Sequence, residues 1–455
     1  MDGADGLDRS GLLEILAGYG GVSTDEVGGR IDSLQLAWIV HVCQERYGIS
    51  IDLGDPRISH AQTVDDLVEV LCPEPAAPLP SRPMSPVAIT GIGAVCALGE
   101  GLEEIGASLA AGRHAFGAVT RFDTTRYRVK TAAHLPGRPE LSKILEGVIE
   151  QACEDAGLGR EDRADAPLFL ASHYDTAAAR LPREEQAHHS LGGKANEIAR
   201  ACGLGEGGRT HVNACVASNS ALADALTLLS SGRARRCVVA AGYLLDEENF
   251  ALFDIAGAMS EDGLIRPFSV GRQGMLLGDG VAAVVLEVPE AVSGRVRARI
   301  EGWGQAGDAH HVARPHPQGR GLARAIGLAL SRAGAEPASI GYVNAHGTGT
   351  PHNDSSEAAA LRAALGEEVA RSVPVGSTKS LHGHALVAAG LLELVITVLA
   401  LEAGELPVNA GYLGPDEECP LNLILERPSP TNVDRALSLN SAFGGAHSAL
   451  VVGAP

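Results

Sequence analysis

The sequence lacks the features that mark nucleic-acid-binding, membrane-spanning or secreted proteins. Its 36 Lys and Arg face 56 Asp and Glu, a formal net charge of −20, whereas phosphate binding needs a clustered basic surface. We find no uninterrupted apolar run of the roughly 18 residues needed to cross a bilayer. The acidic N-terminus lacks the hydrophobic core of a signal peptide. We therefore expect a cytoplasmic protein that binds neither nucleic acid nor membrane.

Cysteine is also scarce and scattered. The eight cysteines among 455 residues include no C-x-x-C pair, so the sequence predicts neither a zinc site nor a disulfide framework. Glycine, in contrast, is abundant at 56 residues, which indicates many tight turns and close backbone contacts. The length allows two or three domains.

A proline-rich segment divides the chain. Six prolines occur within residues 72–86, a composition that favours an extended, semi-rigid linker, which we place at 73–86. Residues 1–72 predict a small all-α domain of three or four helices. One helix covers Ser33–Tyr47, and the last begins after Thr63, an N-cap with Asp66 three residues on.

Beyond the linker, short apolar strands alternate with longer helical stretches, as in α/β proteins. The order strand, sharp turn, small-residue helix occurs twice, around residues 211–232 and 373–404. We therefore divide residues 87–455 into two similar halves, about 87–290 and 291–455. Chemistry is expected where the strand-to-helix turns of the two halves converge.

One cysteine stands in a distinctive place. Cys215 lies between a predicted strand and an alanine-rich helix, and the positive end of a helix favours a thiolate. A lone cysteine is more often a buried structural residue. Here His346, Lys379 and His384 lie in turn-rich loops beside apolar strands, which favours a nucleophilic site.

Three motifs carry a family resemblance: HGTGTPHND (346–354), K-S-x-x-G-H (379–384) and the FGG that begins at Phe443. From about residue 87 to the C-terminus the sequence resembles elongating β-ketoacyl-acyl-carrier-protein synthases. This resemblance implies the thiolase-like fold, a five-layered αβαβα arrangement, and a homodimer formed through this domain.

The same resemblance assigns the reacting groups. Cys215 would attack a carrier-bound acyl thioester and hold the acyl group covalently. The backbone N–H groups of Cys215 and Phe443 would form the oxyanion hole. His346 and His384, as neutral donors, would stabilise the enolate formed when a malonyl-type carrier thioester loses CO₂.

Supporting roles follow from the same motifs. Lys379 would orient the histidines electrostatically, and Asp354 and Glu357 would organise the loop after His346. Phe443 would act as a gate between the acyl pocket and the thiol, on a turn that Gly444 and Gly445 make flexible.

The N-terminal domain has a resemblance of its own, to acyl carrier proteins. Asp32-Ser33-Leu34 matches the motif whose serine carries 4′-phosphopantetheine, attached by a phosphopantetheinyl transferase. The plain alternative is an ordinary helix-capping serine. We expect an acyl-carrier-protein-like domain fused to the synthase, with acyl- and malonyl-carrier thioesters as partners and a place in polyketide or fatty-acid-like metabolism.

Three stretches depart from the family pattern. An acid is replaced in Arg272-Gln273-Gly274, the region 167–205 is short, and Ser441-Ala442 stands before the FGG where an aromatic residue and a glycine are common. Two alternatives therefore stay open at this point. One is a condensing-fold acyltransferase or cyclase that does not decarboxylate. The other is a non-catalytic partner subunit, although such subunits typically lack the nucleophile.

Overall fold

The computed structural model describes residues 9–24, 27, 30–47, 51, 58, 61, 63–71, 83–173, 191–425 and 433–455. The chain divides into two compact units, Met1–Leu79 and Pro80–Pro455. Most of the predicted linker, residues 73–82, and residues 174–190 of the short region lie outside the described residues.

The N-terminal unit contains three helices in its described residues: α1 (Arg9–Gly20), α2 (Ser33–Tyr47) and α3 (Val64–Leu71). Apolar side chains from all three helices, including Leu12, Ile39 and Leu67, are fully buried in one cluster. The predicted cap of α3 is confirmed, because the side chains and backbone N–H groups of Thr63 and Asp66 bond each other reciprocally at 2.8 and 3.1 Å. A fourth helix stays a prediction.

The C-terminal unit is a mixed α/β domain. Its strands are β1 (Val87–Cys96), β2 (Gly117–Ala118), β3 (Thr131–Ala132), β4 (Pro167–Ser172), β5 (Gly205–His211), β6 (Arg236–Tyr243), β7 (Gly280–Glu287), β8 (Ala298–Gly307), β9 (Tyr342–Asn344), β10 (Pro374–Gly376), β11 (Asn422–Leu423), β12 (Arg435–Ala442) and β13 (Ala446–Gly453). Its helices are α4 (Leu102–Ala110), α5 (Leu141–Asp155), α6 (Leu191–Ala201), α7 (Ala217–Ser230), α8 (Glu247–Ile255), α9 (Arg320–Ala333), α10 (Pro351–Leu365), α11 (Glu367–Ser372), α12 (Lys379–His382) and α13 (Ala389–Ala403).

Eleven strands form one sheet in the order β11-β10-β9-β12-β13-β8-β1-β7-β6-β4-β5. Strand β1 lies near the middle, antiparallel to both β7 and β8. It includes two glycines, Gly91 and Gly93, that interrupt its apolar pattern. A Cβ on Gly91 would lie 1.9 Å from the carbonyl oxygen of Ala152, so glycine lets α5 approach the strand.

Helices cover both faces of this sheet. Helix α5 packs on β1 and β7, and α9 packs on β8 and β13, while α7 and α13 contact each other as well as strands of their own halves. Both of these central helices follow a 3₁₀ turn, Ala214–Val216 and Leu386–Ala388. Each turn begins with a residue at positive φ, 52° at Ala214 and 44° at Leu386. The internal repetition expected from the sequence therefore has a structural counterpart at the two helix entrances.

One helix is apolar almost throughout, although Glu393 and Glu402 interrupt its apolar run. The stretch Leu386–Ala403 is long and apolar enough to cross a membrane by length and composition, and 78% of it is buried inside the protein. Because α13 packs against sheet strands and against α7, its apolar surface is explained by the core of the domain.

Candidate active site

Cys215 lies in the 3₁₀ turn at the entrance to α7. Of the seven cysteines in the described residues, it alone is only partly buried. The residues that follow this turn lie close to α13. A Cβ on Gly390 would lie only 1.7 Å from Asn219 Oδ1. The predicted small-residue helices thus bring the thiol next to the second half of the domain.

The two predicted histidines meet this thiol. His384 Nε2 lies 3.2 Å from Cys215 Sγ, and the His346 and His384 rings are nearly perpendicular with centroids 5.2 Å apart. All three side chains line one cavity of about 460 Å³. The structure therefore brings together residues that are 131 and 169 positions from Cys215 in the sequence.

Both imidazoles are held neutral. Burial, and then the charge of Lys379, lower the pKa of His346 and of His384 well below the usual value. His384 Nδ1 is buried without a hydrogen-bond partner among the described residues, so the ring proton belongs on Nε2, facing the sulfur. Asn440 Nδ2 lies 3.5 Å from His346 Nδ1, which likewise favours a proton on Nε2. Each ring can therefore donate one hydrogen bond into the cavity.

The expected thiolate is not the resting state. Although the Cys215 side chain opens on the cavity, its apolar surroundings raise the pKa of the thiol to about 12, and this desolvation outweighs the lowering by Lys379. The helix entrance does not overcome the loss of solvent. The prediction of a stabilised thiolate was wrong in this respect. The thiol therefore rests protonated.

Lys379 is fully buried and does not point to solvent. Its Nζ lies 2.5 Å from Glu393 Oε1, and both side chains have no exposed surface. Glu393 Oε2 also accepts a hydrogen bond of 2.8 Å from Asn440 Nδ2. Glu393 and Asn440 therefore link Lys379 to His346, and our sequence reasoning named neither residue. A signal was present, because Glu393 is an acid inside the apolar run LLELVITVLAL.

The acids Asp354 and Glu357 organise the loop after β9, as the family motif implied. Glu357 accepts from the backbone N–H groups of His346 and Gly347 at 2.7 and 2.8 Å. Asp354 accepts from the N–H of Phe268 at 2.8 Å. Burial raises the pKa of Asp354 to about 6 and that of Glu357 to about 7. Neither carboxyl group is among the residues that line the cavity; Glu357 holds the backbone at His346, and Asp354 holds the backbone at Phe268.

Phe443 lies at the mouth of the cavity, on the turn between β12 and β13. Its side chain is 53% exposed, and its ring lies 5.9 Å from that of Phe253. Gly444 and Gly445 follow with φ of 87° and 72°, a region that favours glycine. The predicted gate residue therefore lines the cavity with its side chain half-exposed, and its action as a gate stays a prediction.

The structure accounts for one departure from the family pattern. Arg272, in the variant Arg272-Gln273-Gly274, forms ion pairs with Asp416 and, at 2.5 Å, with Glu418, while Gln273 lines the cavity. Gln273, which replaces the acid of the family pattern, is thus part of the cavity wall, and Arg272 pairs with acids elsewhere in the domain.

Comparisons with known proteins identify the family of this chain. Two family models match: "Beta-ketoacyl synthase, N-terminal domain" over residues 141–291 and "Beta-ketoacyl synthase, C-terminal domain" over residues 297–412. A "Putative polyketide beta-ketoacyl synthase 1" of Streptomyces cyaneus is 32% identical, with 81% of this chain and 98% of that protein covered. A 3-oxoacyl-[acyl-carrier-protein] synthase 2 of Coxiella burnetii is 30% identical, with 80% and 98% covered.

Solved structures give the same result. The chain superimposes on "The ishigamide ketosynthase/chain length factor" with a TM-score of 0.74 at 28% identity, covering 82% of this chain and 100% of that one. A type II polyketide synthase ketosynthase, solved with its acyl carrier protein and bound to the hexaketide, gives 0.76 at 25% identity with the same coverage.

Fold and site together define a condensing acyltransferase of the decarboxylating type. The chain belongs to the β-ketoacyl synthase family. No family model matches residues 1–140, so the carrier domain predicted for residues 1–72 stays a prediction.

Proposed function

We propose that this chain condenses an acyl group held on Cys215 with a malonyl-type extender bound to an acyl carrier protein, and releases CO₂. The observation that carries the proposal is the meeting of one thiol and two neutral imidazoles in a single cavity, with Cys215 Sγ 3.2 Å from His384 Nε2. Such donors stabilise an oxyanion without protonating it.

The first half of the reaction loads the enzyme. As the Cys215 sulfur attacks the carbonyl carbon of an acyl thioester, its proton passes to the departing carrier thiol, and the C–S bond to the carrier breaks. The backbone N–H groups of Cys215 and Phe443 bind the oxyanion of the tetrahedral intermediate. The Nε2–H of His384 and the charge of Lys379 stabilise the sulfur as it loses its proton.

The second half forms the carbon–carbon bond. His346 and His384 donate hydrogen bonds to the thioester oxygen of the extender, so that the enolate left by the departing CO₂ is stabilised. The enolate carbon attacks the acyl carbonyl on Cys215, and the sulfur leaves and regains a proton. Burial and the charge of Lys379 lower the pKa of both rings, which keeps them neutral and therefore available as donors.

We also propose that residues 1–72 form a carrier domain that bears 4′-phosphopantetheine on Ser33. This residue is exposed at the first position of α2. Asp32 Oδ1 already caps that helix, accepting from the N–H groups of Leu34 and Gln35 at 2.9 and 2.8 Å. The serine hydroxyl is thus accessible and not needed as the cap. When attached, the group supplies a terminal thiol that holds acyl units as thioesters.

The remaining family properties belong to the same proposal. They are a homodimer through residues 87–455, a five-layered αβαβα arrangement, carrier-protein partners, a phosphopantetheinyl transferase, and a cytoplasmic role in polyketide or fatty-acid-like metabolism. Helices on both faces of the sheet and the contact of α7 with α13 support the layered arrangement. Sedimentation of the purified full chain tests the dimer.

The condensation is tested with an acyl N-acetylcysteamine thioester and ¹⁴C-malonyl-carrier protein. We expect acylation of Cys215, release of labelled CO₂ and a β-ketoacyl product. Cys215→Ala should lose acylation at this residue and condensation, whereas His346→Asn should keep acylation and lose CO₂ release. Acyl transfer by the wild type without CO₂ release would sink the proposal.

The carrier proposal is tested by intact mass spectrometry after co-expression with a phosphopantetheinyl transferase. A mass increase in the wild type that is absent in Ser33→Ala would support it. Ser10→Ala is the matched control within the same domain. An unmodified wild type alongside a modified control carrier protein would count against it.

A further inference from the structure

A second set of reactive groups lies in the same cavity and has no part in the condensation. Ser441 Oγ lies 2.8 Å from His447 Nδ1, and His447 Nε2 lies 2.9 Å from Asp308 Oδ2. Ser441 and His447 line the cavity together with Cys215. Ser441 stands in the stretch before the FGG that departs from the family pattern.

The backbone fixes this arrangement. Ser441 and His447 are directly opposite each other on the antiparallel strands β12 and β13. Asp308 accepts hydrogen bonds from the backbone N–H groups of His316 and Gly321, at 2.7 and 2.8 Å. Gly321 lies in the first turn of α9, where the helix favours a negative charge.

The aspartate is therefore ionised. The contact with His447 and the backbone donors lower the pKa of Asp308 to about 2, against the effect of burial. His447 Nε2 and Asp308 Oδ2 lie within ion-pair distance of each other. A fixed carboxylate beside the ring stabilises the imidazolium that forms when the imidazole takes a proton.

We propose that Ser441, His447 and Asp308 form a second catalytic set, which hydrolyses acyl thioesters through an ester on Ser441. A serine, an imidazole in hydrogen-bond contact with it, and a carboxylate that orients the ring are the parts of an activated nucleophile, recognised by geometry and not by order in the chain. Here Nδ1 faces the serine and Nε2 the aspartate. Nδ1 is therefore the nitrogen that takes the serine proton, because the aspartate charge beside Nε2 stabilises protonation at Nδ1.

The reaction balances without a further reagent. Ser441 Oγ attacks the thioester carbonyl carbon, His447 takes the hydroxyl proton, the C–S bond breaks, and the leaving sulfur receives that proton. Water then attacks the ester with the same base, giving a carboxylic acid and free Ser441. The net change is thioester plus water to acid plus thiol. The activity would release acyl chains that are not extended.

The test removes the first nucleophile so that condensation cannot contribute. Cys215→Ala is given hexanoyl-N-acetylcysteamine, and thiol release is followed spectrophotometrically. We expect release above the protein-free rate, at least tenfold slower in Cys215→Ala/Ser441→Ala and in Cys215→Ala/His447→Gln. Cys215→Ala/Ser231→Ala, altered at an exposed serine, should match the parent.

A fluorophosphonate probe gives an independent reading. In Cys215→Ala it should label Ser441, identified by peptide mass spectrometry, and labelling should fall when His447 is replaced by Gln. Thermal unfolding at an unchanged midpoint shows that each variant is folded; Ser441→Ala removes only one oxygen. Equal hydrolysis with and without Ser441, or no label on that residue, would overturn the inference. Neither result depends on whether the chain condenses.

Discussion

The buried pair Lys379–Glu393 yields a prediction with two separate effects, one on the stability of the protein and one on the reactivity of the Cys215 thiol. Glu393→Gln preserves the shape and an amide oxygen for Lys379, but removes the negative charge 2.5 Å from Nζ. Both side chains have no exposed surface, so the ammonium group is left uncompensated in the core. Breaking a buried pair by removing one partner costs about 3–5 kcal/mol. We expect the free energy of unfolding to fall by that amount.

Glu393→Gln and Lys379→Met should change the reactivity of the Cys215 thiol in opposite directions. The charge of Glu393 raises the pKa of Cys215, and the charge of Lys379 lowers it. Glu393→Gln should therefore speed alkylation of Cys215 by iodoacetamide at pH 8, and Lys379→Met should slow it. Each tenfold change in thiolate fraction corresponds to one pKa unit.

Urea unfolding and alkylation followed by intact mass spectrometry measure the two effects. Arg371→Gln, altered in an exposed ion pair with Glu367, is the matched control and should cost less than about 1 kcal/mol. A loss below about 1 kcal/mol in Glu393→Gln, or alkylation rates that change in the same direction in both variants, would refute the reasoning.

Three further predictions concern the thiol, the loop and the gate. Alkylation of wild-type Cys215 should rise through pH 9 without a plateau near 7, because burial raises the pKa of the thiol to about 12; a plateau near pH 7 would contradict this. The pKa of Glu357 is raised from 4.5 to about 7, so its contribution to stability is complete below pH 4.5 and is lost as pH rises through 7. The urea midpoint of the wild type should therefore fall more steeply between pH 5 and 8 than that of Glu357→Gln, and equal slopes would refute it. Gly444→Ala should cost about 1–2 kcal/mol from backbone strain at φ 87°, since nothing lies within 4 Å of the added Cβ. Gly147→Ala, equally open but inside α5, should instead stabilise the protein by about 0.4–1 kcal/mol, and thermal unfolding compares the two.

The sequence was most informative where local pattern and chemistry coincide. The bounds of α2 and the cap of α3 follow from side chains next to each other in the chain, and both are confirmed. The motifs placed Cys215, His346 and His384 in turns after strands, and these turns converge. Residues that directly follow a strand are therefore predictable, because the end of the strand fixes where their side chains point.

The contacts that the sequence analysis missed join residues that are separated along the chain. Glu393 lies inside an apolar run, and only the fold shows that it contacts Lys379, 14 positions earlier in the chain. Asn440 and the Asp308–His447 pair likewise join strands and helices remote in sequence. The state of the thiol was also missed, since desolvation depends on what surrounds the sulfur and the helix entrance is only one contribution.

The Lys379–Glu393 pair is better explained by chemistry than by stability. Replacing a buried ion pair by apolar residues of similar volume is often neutral or stabilising, so Lys379→Met/Glu393→Leu should recover much of the stability that Glu393→Gln loses. A positive charge beside two imidazoles opposes their protonation, and it lowers the pKa of both rings. An imidazolium would give up a proton to the enolate and quench it, whereas a neutral N–H only stabilises the charge. Glu393 in turn makes the buried ammonium tolerable. The charge of Lys379 therefore adds to burial in keeping the donors neutral, and a refolded double variant should remain impaired in decarboxylation.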